Sequence, residues 1–377
     1  MRNTVLPLSL LNPRGVPNGI SAVDLDDACR RIAQVFSELG VPAQVISATT
    51  GPVLALYTVE LAEGIDPVKV TIHARDFAKA LAVMTCRFIV QDGSHLVLEV
   101  ANSTRSRIGL VGILLTEAVQ EAQAVLPITL GQDVSGNPVV SDLGLMPHLL
   151  IGAGSGDEAV GFLHTVLLSL LFRQGADDMR LLLLDAQGQQ AFAPYQGIPH
   201  LMAPVVTDAE GCFALLEGLN QEIARRLKLL VEARVSDWAA YRQKVGKEAL
   251  PRIVMAIHGY AVLFSQGRTA EYQMARIAMR GHQVGVHLIA VTRPVSFDSV
   301  SDLFKLHFPS RVALKAACMA DSRRLVGQDG AEALLGDGDM LCFDGQQGAV
   351  RRIHGAVVSE AEVRLVTEYL RAQCTSV

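Results

Sequence analysis

The sequence predicts an α/β protein in which a mostly parallel sheet is flanked by helices and preceded by a small α+β domain. Three observations carry this reading. From Thr129 onward, short apolar runs alternate with long helical stretches, the pattern of strands joined by crossover helices. Half of the 377 residues are hydrophobic and only 19% are charged, which suits strands buried on both faces. Before Thr129 the runs are shorter, alternate or run apolar, and are closed by turn residues, as in a small sheet.

Residues 1–20 are turn-rich (Asn12-Pro13-Arg14-Gly15, Pro17-Asn18-Gly19) and read as an arm or lead-in. Asp24 to Leu39 carries Leu25, Ala28, Cys29, Ile32, Val35, Phe36 and Leu39 on one face, an amphipathic helix closed by Gly40. Ala43–Ala48, Val53–Leu61 and Val68–Ile72 read as strands, followed by a helix over Ala74–Met84. A strand pair, Arg87–Gln91 and Leu96–Val100, turns at Asp92-Gly93-Ser94. A short apolar helix over Leu114–Val125 leads out of this domain, whose span is set at 21–126.

The second domain, 127–377, has core strands at Leu149–Gly152, Arg180–Asp185, Arg252–Ile257, Val286–Thr292 and Ser310–Leu314. Between them lie helices at Val160–Arg173, Ala209–Ala233, Tyr272–Ala278 and Ser322–Val326. The ordering matches a RecA-like P-loop core. At its head, His148-Leu149-Leu150-Ile151 runs into Gly152-Ala153-Gly154-Ser155-Gly156-Asp157-Glu158-Ala159-Val160 and then a helix, the arrangement that cradles a phosphate at a helix N-terminus. No lysine or arginine occurs between Met146 and Phe172, and Asp157 and Glu158 add negative charge. A P-loop needs a lysine for the β/γ-phosphates and a hydroxyl for Mg²⁺. Two readings stand at this turn, a backbone cradle for an anion and plain capping of the helix dipole by Asp157 and Glu158, and capping is the stronger.

Composition excludes several classes. The longest apolar runs fall short of the roughly 18–20 residues that span a bilayer, and the N-terminus lacks a secretory h-region and cleavage site. A cytoplasmic protein with no membrane partner is expected. Cysteines 29, 86, 212, 318, 342 and 374 show no metal spacing and read as free thiols. A net charge of −5 provides no global basic footprint for nucleic acid. Arg225-Arg226-Lys228 reads as a solvated helix face, and His282, His287 and Asp298 show no metal spacing. His258 and Asp185, at the ends of neighbouring strands, are placed to pair, as an acid–base unit or, the stronger reading, as a hydrogen-bonded, non-catalytic histidine.

Longer phrases point to a family. The second domain resembles the motor of the FtsK/SpoIIIE family of DNA translocases through Leu130 to Val140, Met146 to Leu150, Tyr195 to Leu201, Val205 to Asp208 and Glu222 to Leu229. Late in the chain Asp321-Ser322-Arg323, Gly330 to Leu341 and His354-Gly355-Ala356 continue the resemblance. The first domain, with Gly51-Pro52-Val53 entering a strand, looks like the small α domain that precedes that motor. Neither the family's membrane-anchoring region nor its winged-helix reader is expected within these residues.

The resemblance also locates departures. In an ungapped register the family's P-loop lysine falls on Ala159, its Ser/Thr on Val160 and its last glycine on Glu158. The Walker B Asp-Glu pair falls on His258 and Gly259, the sensor glutamine on Arg293, and the Asp-Pro-Lys after the second strand on Asp185-Ala186-Gln187. From these positions the expectation is a motor fold without ATPase activity, a pseudo-ATPase with no cofactor. It would serve as a structural subunit of a ring or filament, self-assembled or joined to an active relative, with weak, non-specific DNA contact. The alternative is an ATP-dependent double-stranded DNA translocase with an atypical site, which needs a cation from elsewhere. Arg311 and Arg323 are the candidates to reach a neighbour's Asp157-Glu158 turn.

Overall fold

The computed structural model describes residues 6–12, 22–51, 53–83, 85–91, 93–102, 107–246, 250–265, 268–292, 306–345 and 348–374. The chain divides into two compact units. The smaller comprises Arg14–Ile108 with Gln132–Pro138, so the boundary falls at 108/109 rather than at the predicted 126/127. Residues 6–12 likewise belong to the larger unit instead of forming an arm.

In the smaller unit the order is α1 (Ala22–Glu38), β1 (Ala43–Thr50), β2 (Leu54–Leu61), α2 (Pro67–Thr71), α3 (Ala74–Ala80), β3 (Cys86–Val90) and β4 (His95–Ala101). The strands pair antiparallel in the order β1-β2-β4-β3. Ile32, Val35 and Phe36 of α1 pack on the inward residues Tyr57, Val59, Leu96 and Leu98. Phe36, Phe77 and Phe88 meet edge-to-face at centroid separations of 4.8–6.4 Å, a favoured aromatic geometry. The strand expected at 68–72 is instead the helix α2. Asp66 accepts a hydrogen bond from the Val68 amide, and Pro67 supplies a helix-ready first residue, so the cap outweighs the β-branched run.

The larger unit, Met1–Pro13, Gly109–Gly131 and Val139–Val377, contains α4 (Leu110–Leu114), α5 (Glu117–Gln120), β5 (Pro127–Asp133), β6 (Pro138–Asp142) and β7 (His148–Gly152). Then follow α6 (Gly156–Arg173), β8 (Met179–Asp185), α7 (Ala209–Ala233), α8 (Trp238–Val245), β9 (Arg252–His258), α9 (Tyr260–Ser265), α10 (Arg268–Arg280) and β10 (Val286–Thr292). The unit ends with β11 (Ser310–Ala313), α11 (Met319–Val326), β12 (Asp339–Asp344), β13 (Ala349–Gly355) and α12 (Glu360–Cys374). The helix expected over 114–125 is two short helices. Thr116 turns its hydroxyl back onto the Ile113 carbonyl at 2.7 Å between them.

Among the described residues the sheet has nine strands in the order β6-β5-β13-β12-β11-β7-β10-β9-β8. β11, β7, β10, β9 and β8 run parallel, and β12 is antiparallel to both β11 and β13. β7 and β10 are buried along their whole length, as strands covered by helices on both faces must be. The parallel register brings the C-terminal ends of β7, β10, β9 and β8 level: Gly152 pairs with Thr292, Val291 with His258, and His258 with Asp185.

Candidate functional site

The turn after β7 is built by close backbone approach. A Cβ on Gly152 would lie 2.4 Å from a Leu325 methyl, and one on Gly154 would lie 3.0 Å from the Lys315 carbonyl. The Gly154 amide donates to that carbonyl at 2.9 Å, and Ala153 donates to Thr292 at 3.4 Å. Two amides of the turn are therefore held by neighbouring strand ends. Ser155 is the N-cap of α6 but makes no side-chain cap bond. Asp157 is exposed, Ala159 is buried and Val160 half-buried. Glu158 accepts from the Gly338 amide at 3.4 Å. Burial raises its carboxyl above the usual range, helped by Asp337 and Asp339 and opposed by the Gly338 hydrogen bond and by Lys315.

Lys315 is the residue that sequence reasoning missed. It follows β11, far from the turn in sequence, yet its backbone holds Gly154 and its charge acts on Glu158. Parallel pairing of β11 with β7 is what carries it there, and no local pattern around Lys315 signals that pairing.

At the end of β9 the predicted pair forms. His258 Nδ1 lies 2.9 Å from Asp185 Oδ1, with both side chains almost fully buried. Asp185 also accepts from the Gln187 amide at 3.3 Å and the Ala191 amide at 3.1 Å. Gly259 adopts φ +76°, and a Cβ there would meet the Gln187 side chain at 2.3 Å. A left-handed glycine is what allows Gln187 to lie across this position. Ala153, Ser155, Gly156, Ala159, Gln187, His258, Gly259, Val291 and Thr292 enclose a cleft of about 10 Å³. Behind it His164 stacks on Tyr195, its Nδ1 3.0 Å from the phenol oxygen. Burial, aided by His258, lowers His164 to about 4.

The other candidates separate clearly. Arg293 lies outside the described residues. Arg311 donates to the Phe308 carbonyl at 2.9 Å and the Leu325 carbonyl at 3.4 Å. Arg323 forks onto Asp329 at the surface. The expected solvated face at 225–228 is half wrong: Arg226 is 2% exposed and lies 4.5 Å over the Trp238 ring, so only Arg225 and Lys228 remain on the outside.

Known proteins share this architecture. The FtsK/SpoIIIE family model matches residues 109–280, and the FtsK alpha domain model matches 6–102. The chain belongs to the FtsK/SpoIIIE family. It is 33% identical, over 94% of its length, to DNA translocase FtsK 2 of Ralstonia nicotianae. It is 32% identical, over 98%, to DNA translocase FtsK of Pseudomonas aeruginosa. The chain spans about half the length of these relatives, 48% and 49%. Among solved structures it resembles the pCW3 conjugation coupling protein TcpA with ATPγS (TM-score 0.65, 17% identity, 93% of this chain and 100% of that one). It also resembles the cytoplasmic domain of the type VII secretion ATPase EccC of Thermomonospora curvata (TM-score 0.58, 20% identity, 70% of this chain and 34% of that one). These likenesses establish the motor fold.

They also correct one expectation. A pseudo-ATPase was inferred from Ala159, Val160, His258 and Gly259, but relatives named as DNA translocases match nearly the whole chain, and that supports an ATPase. The four substitutions by themselves do not establish a lost activity. The family's magnesium site is a separate matter. Mg²⁺ takes oxygen ligands in octahedral array; no carboxylate lines the cleft, and Val160 has no hydroxyl. Among the described residues no group of three or more His, Cys, Asp or Glu is placed to hold a metal. The residues present do not match a magnesium site of the P-loop kind. No described helix is long and apolar enough to cross a membrane.

Proposed function

We propose that this chain is the motor module of a DNA translocase, a subunit of a ring or filament on double-stranded DNA, driven by ATP through a nucleotide site of unusual composition. The observation that carries this reading is the match, across both units and in order, to proteins named DNA translocase FtsK. The placement of Lys315 supports it, because a triphosphate at the β7–α6 turn needs positive charge against Asp157 and Glu158. DNA contact in this reading is electrostatic and indifferent to sequence, so it falls steeply with salt. A structural contribution to the same assembly, through head-to-tail packing of neighbouring subunits, accompanies the motor role.

The test is ATP hydrolysis by the full chain with and without linear duplex DNA, coupled to displacement of a third strand from a triplex. DNA-stimulated turnover with strand displacement is expected. Absence of both in purified, assembled protein, together with no binding of ATP in calorimetry, removes the reading.

A further inference from the structure

We propose that the outward row of α10, Tyr272, Arg276 and Arg280, together with Lys228 of α7, is a surface that holds the phosphate backbone of duplex DNA. The proposal rests on the DNA-motor reading above and deepens it by placing the contact on named side chains.

α10 divides its residues between two faces. Ala270, Met274, Ile277 and Ala278 are buried in the core of the larger unit. Thr269, Tyr272, Arg276, Met279 and Arg280 are left outside. Tyr272, Arg276 and Arg280 recur every four residues and so form one ridge of the helix, with steps of about 6 Å along the axis. At that step neighbouring cations can reach neighbouring phosphates of a single strand. Tyr272 is 65% exposed, and the Arg276 guanidinium lies 5.8 Å from the centre of its ring. That is a cation–π distance, which holds the two side chains together without occupying an N–H donor.

α7 brings the further cation. Asn220 bonds Gln273 at 2.6 Å, and Arg226 bonds the Val284 carbonyl at 3.1 Å. The contacts advance in the same direction along both segments, so α7 and α10 lie parallel. Lys228, eight residues beyond Asn220, is therefore level with Arg280, seven residues beyond Gln273. Lys228 is exposed and makes no ion pair with Glu232 one turn on. Its neighbour Arg225 is different, because Glu222 takes both of its donors.

Charge complementarity selects the partner. In this unit Arg242 is committed to Asp178, Arg324 to Asp321 and Arg352 to Asp339. Arg276, Arg280 and Lys228 have no carboxylate partner among the described residues, and the one acid of α10, Glu271, is half-buried. In a chain of net charge −5, such a row attracts a regularly spaced polyanion. The tyrosine hydroxyl adds a donor of the kind that contacts phosphate without reading sequence.

The test measures binding of the full chain to a fluorescently labelled DNA duplex of mixed sequence by anisotropy, at salt between 50 and 200 mM. Three preparations are compared: unaltered, Arg276→Ala with Arg280→Ala, and Lys69→Ala with Lys79→Ala. The last pair removes the same charge from exposed positions in the smaller unit. Both α10 sites are exposed, and circular dichroism checks that the fold is kept. The α10 double variant is expected to bind about tenfold or more weakly at the low-salt end, with the slope of log affinity against log salt reduced by about 1.8, two phosphate contacts' worth. The control pair is expected to match the unaltered chain. Unchanged affinity and slope in the α10 variant overturn the surface while leaving the motor reading intact. Equal losses in both double variants do the same, because they make the effect one of net charge. Tighter binding to a single strand, lost in Tyr272→Ala, would overturn the duplex assignment in favour of base stacking. If the unaltered chain binds no DNA at any salt, the surface and the motor reading fall together.

Discussion

Two buried polar clusters in the larger unit invite the same suspicion of function and resolve differently. Arg226 on α7 donates Nε to Glu222 at 2.7 Å, Nη1 to the Val284 carbonyl at 3.1 Å and Nη2 to the Pro251 carbonyl at 2.8 Å, and its plane covers Trp238. All three nitrogens of that guanidinium end on protein. His258 ends on protein through one nitrogen only, and the other belongs to a residue lining a cleft at the carboxyl ends of the parallel strands. Burial and charge are common to both. What separates the two is that every nitrogen of the guanidinium ends on protein, whereas one imidazole nitrogen has no protein partner.

The sealed class should dominate acid stability, which is the largest effect to look for. His148 donates Nε2–H to the Ala278 carbonyl at 2.8 Å and accepts the Leu288 amide on Nδ1 at 3.0 Å, so a second proton would face an N–H. Burial lowers His148 to about 3 and His287 to about 4. Because these folded values lie below the ordinary 6.5, the unfolded chain binds more protons in the window between. Stability is therefore full above about pH 6.5 and falls as pH drops toward 3, by about 1.4 kcal/mol per pH unit for each such histidine. Urea denaturation at pH 7, 6, 5 and 4 measures this, and a flat profile would break the sealed-cluster account.

Next in size is the α7 cluster itself. Arg226→Ala takes one of Glu222's two arginine partners, leaving Arg225, removes the donors to the Val284 and Pro251 carbonyls and uncovers Trp238, so a loss of about 2–4 kcal/mol is expected. Arg226→Met keeps the volume over Trp238 but strips the hydrogen bonds. It should fall between the two in the same denaturation series. Equal stability of Arg226→Ala and the unaltered chain would mean the cluster is not structural. A smaller effect belongs to Gly285, where φ is +74° and a Cβ would lie 2.3 Å from the Trp238 ring. Gly285→Ala should cost on the order of 1–3 kcal/mol through strain and a displaced indole. Under the proposed motor role it should leave ATP turnover untouched, since it touches the sealed cluster alone.

Legibility in the sequence followed the range of the interaction involved. α7 was readable end to end because Asp208 caps it and its apolar face recurs with helical period. The parallel strands were readable as apolar runs, and from their shared carboxyl ends the Asp185–His258 pair followed. The strands β12 and β13 were not marked out, because β13 carries Arg351 and Arg352 in its middle. Arg352 is acceptable there only through its fork onto the buried Asp339. Lys315 beside the turn is a consequence of strand order, which no single-residue pattern encodes. At 68–72 the residue types favoured a strand and a local cap prevailed.

The smallest expected effect on stability is at Arg323, and it bears on assembly instead. The fork onto Asp329 has good geometry, at 2.6 and 2.7 Å, but both side chains stand in solvent, 63% and 41% exposed. Exposed pairs of this kind contribute little because water and salt screen them and two long side chains lose freedom in forming them. Arg323→Ala should therefore leave the thermal midpoint unchanged. If subunits pack head to tail as proposed, the same guanidinium is available to exchange Asp329 for an acidic residue of a neighbour, and the exposed Asp157 is suited to receive it. Arg323→Ala and Asp157→Lys should then each reduce the assembled fraction seen by light scattering, and the loss should be larger at low salt, where charges reach further. Combining Arg323→Asp with Asp157→Lys should restore part of it by reversing both signs. Assembly that is indifferent to all three would place the interface elsewhere, and a 40.4 kDa monomer at high concentration with DNA present would remove head-to-tail packing altogether.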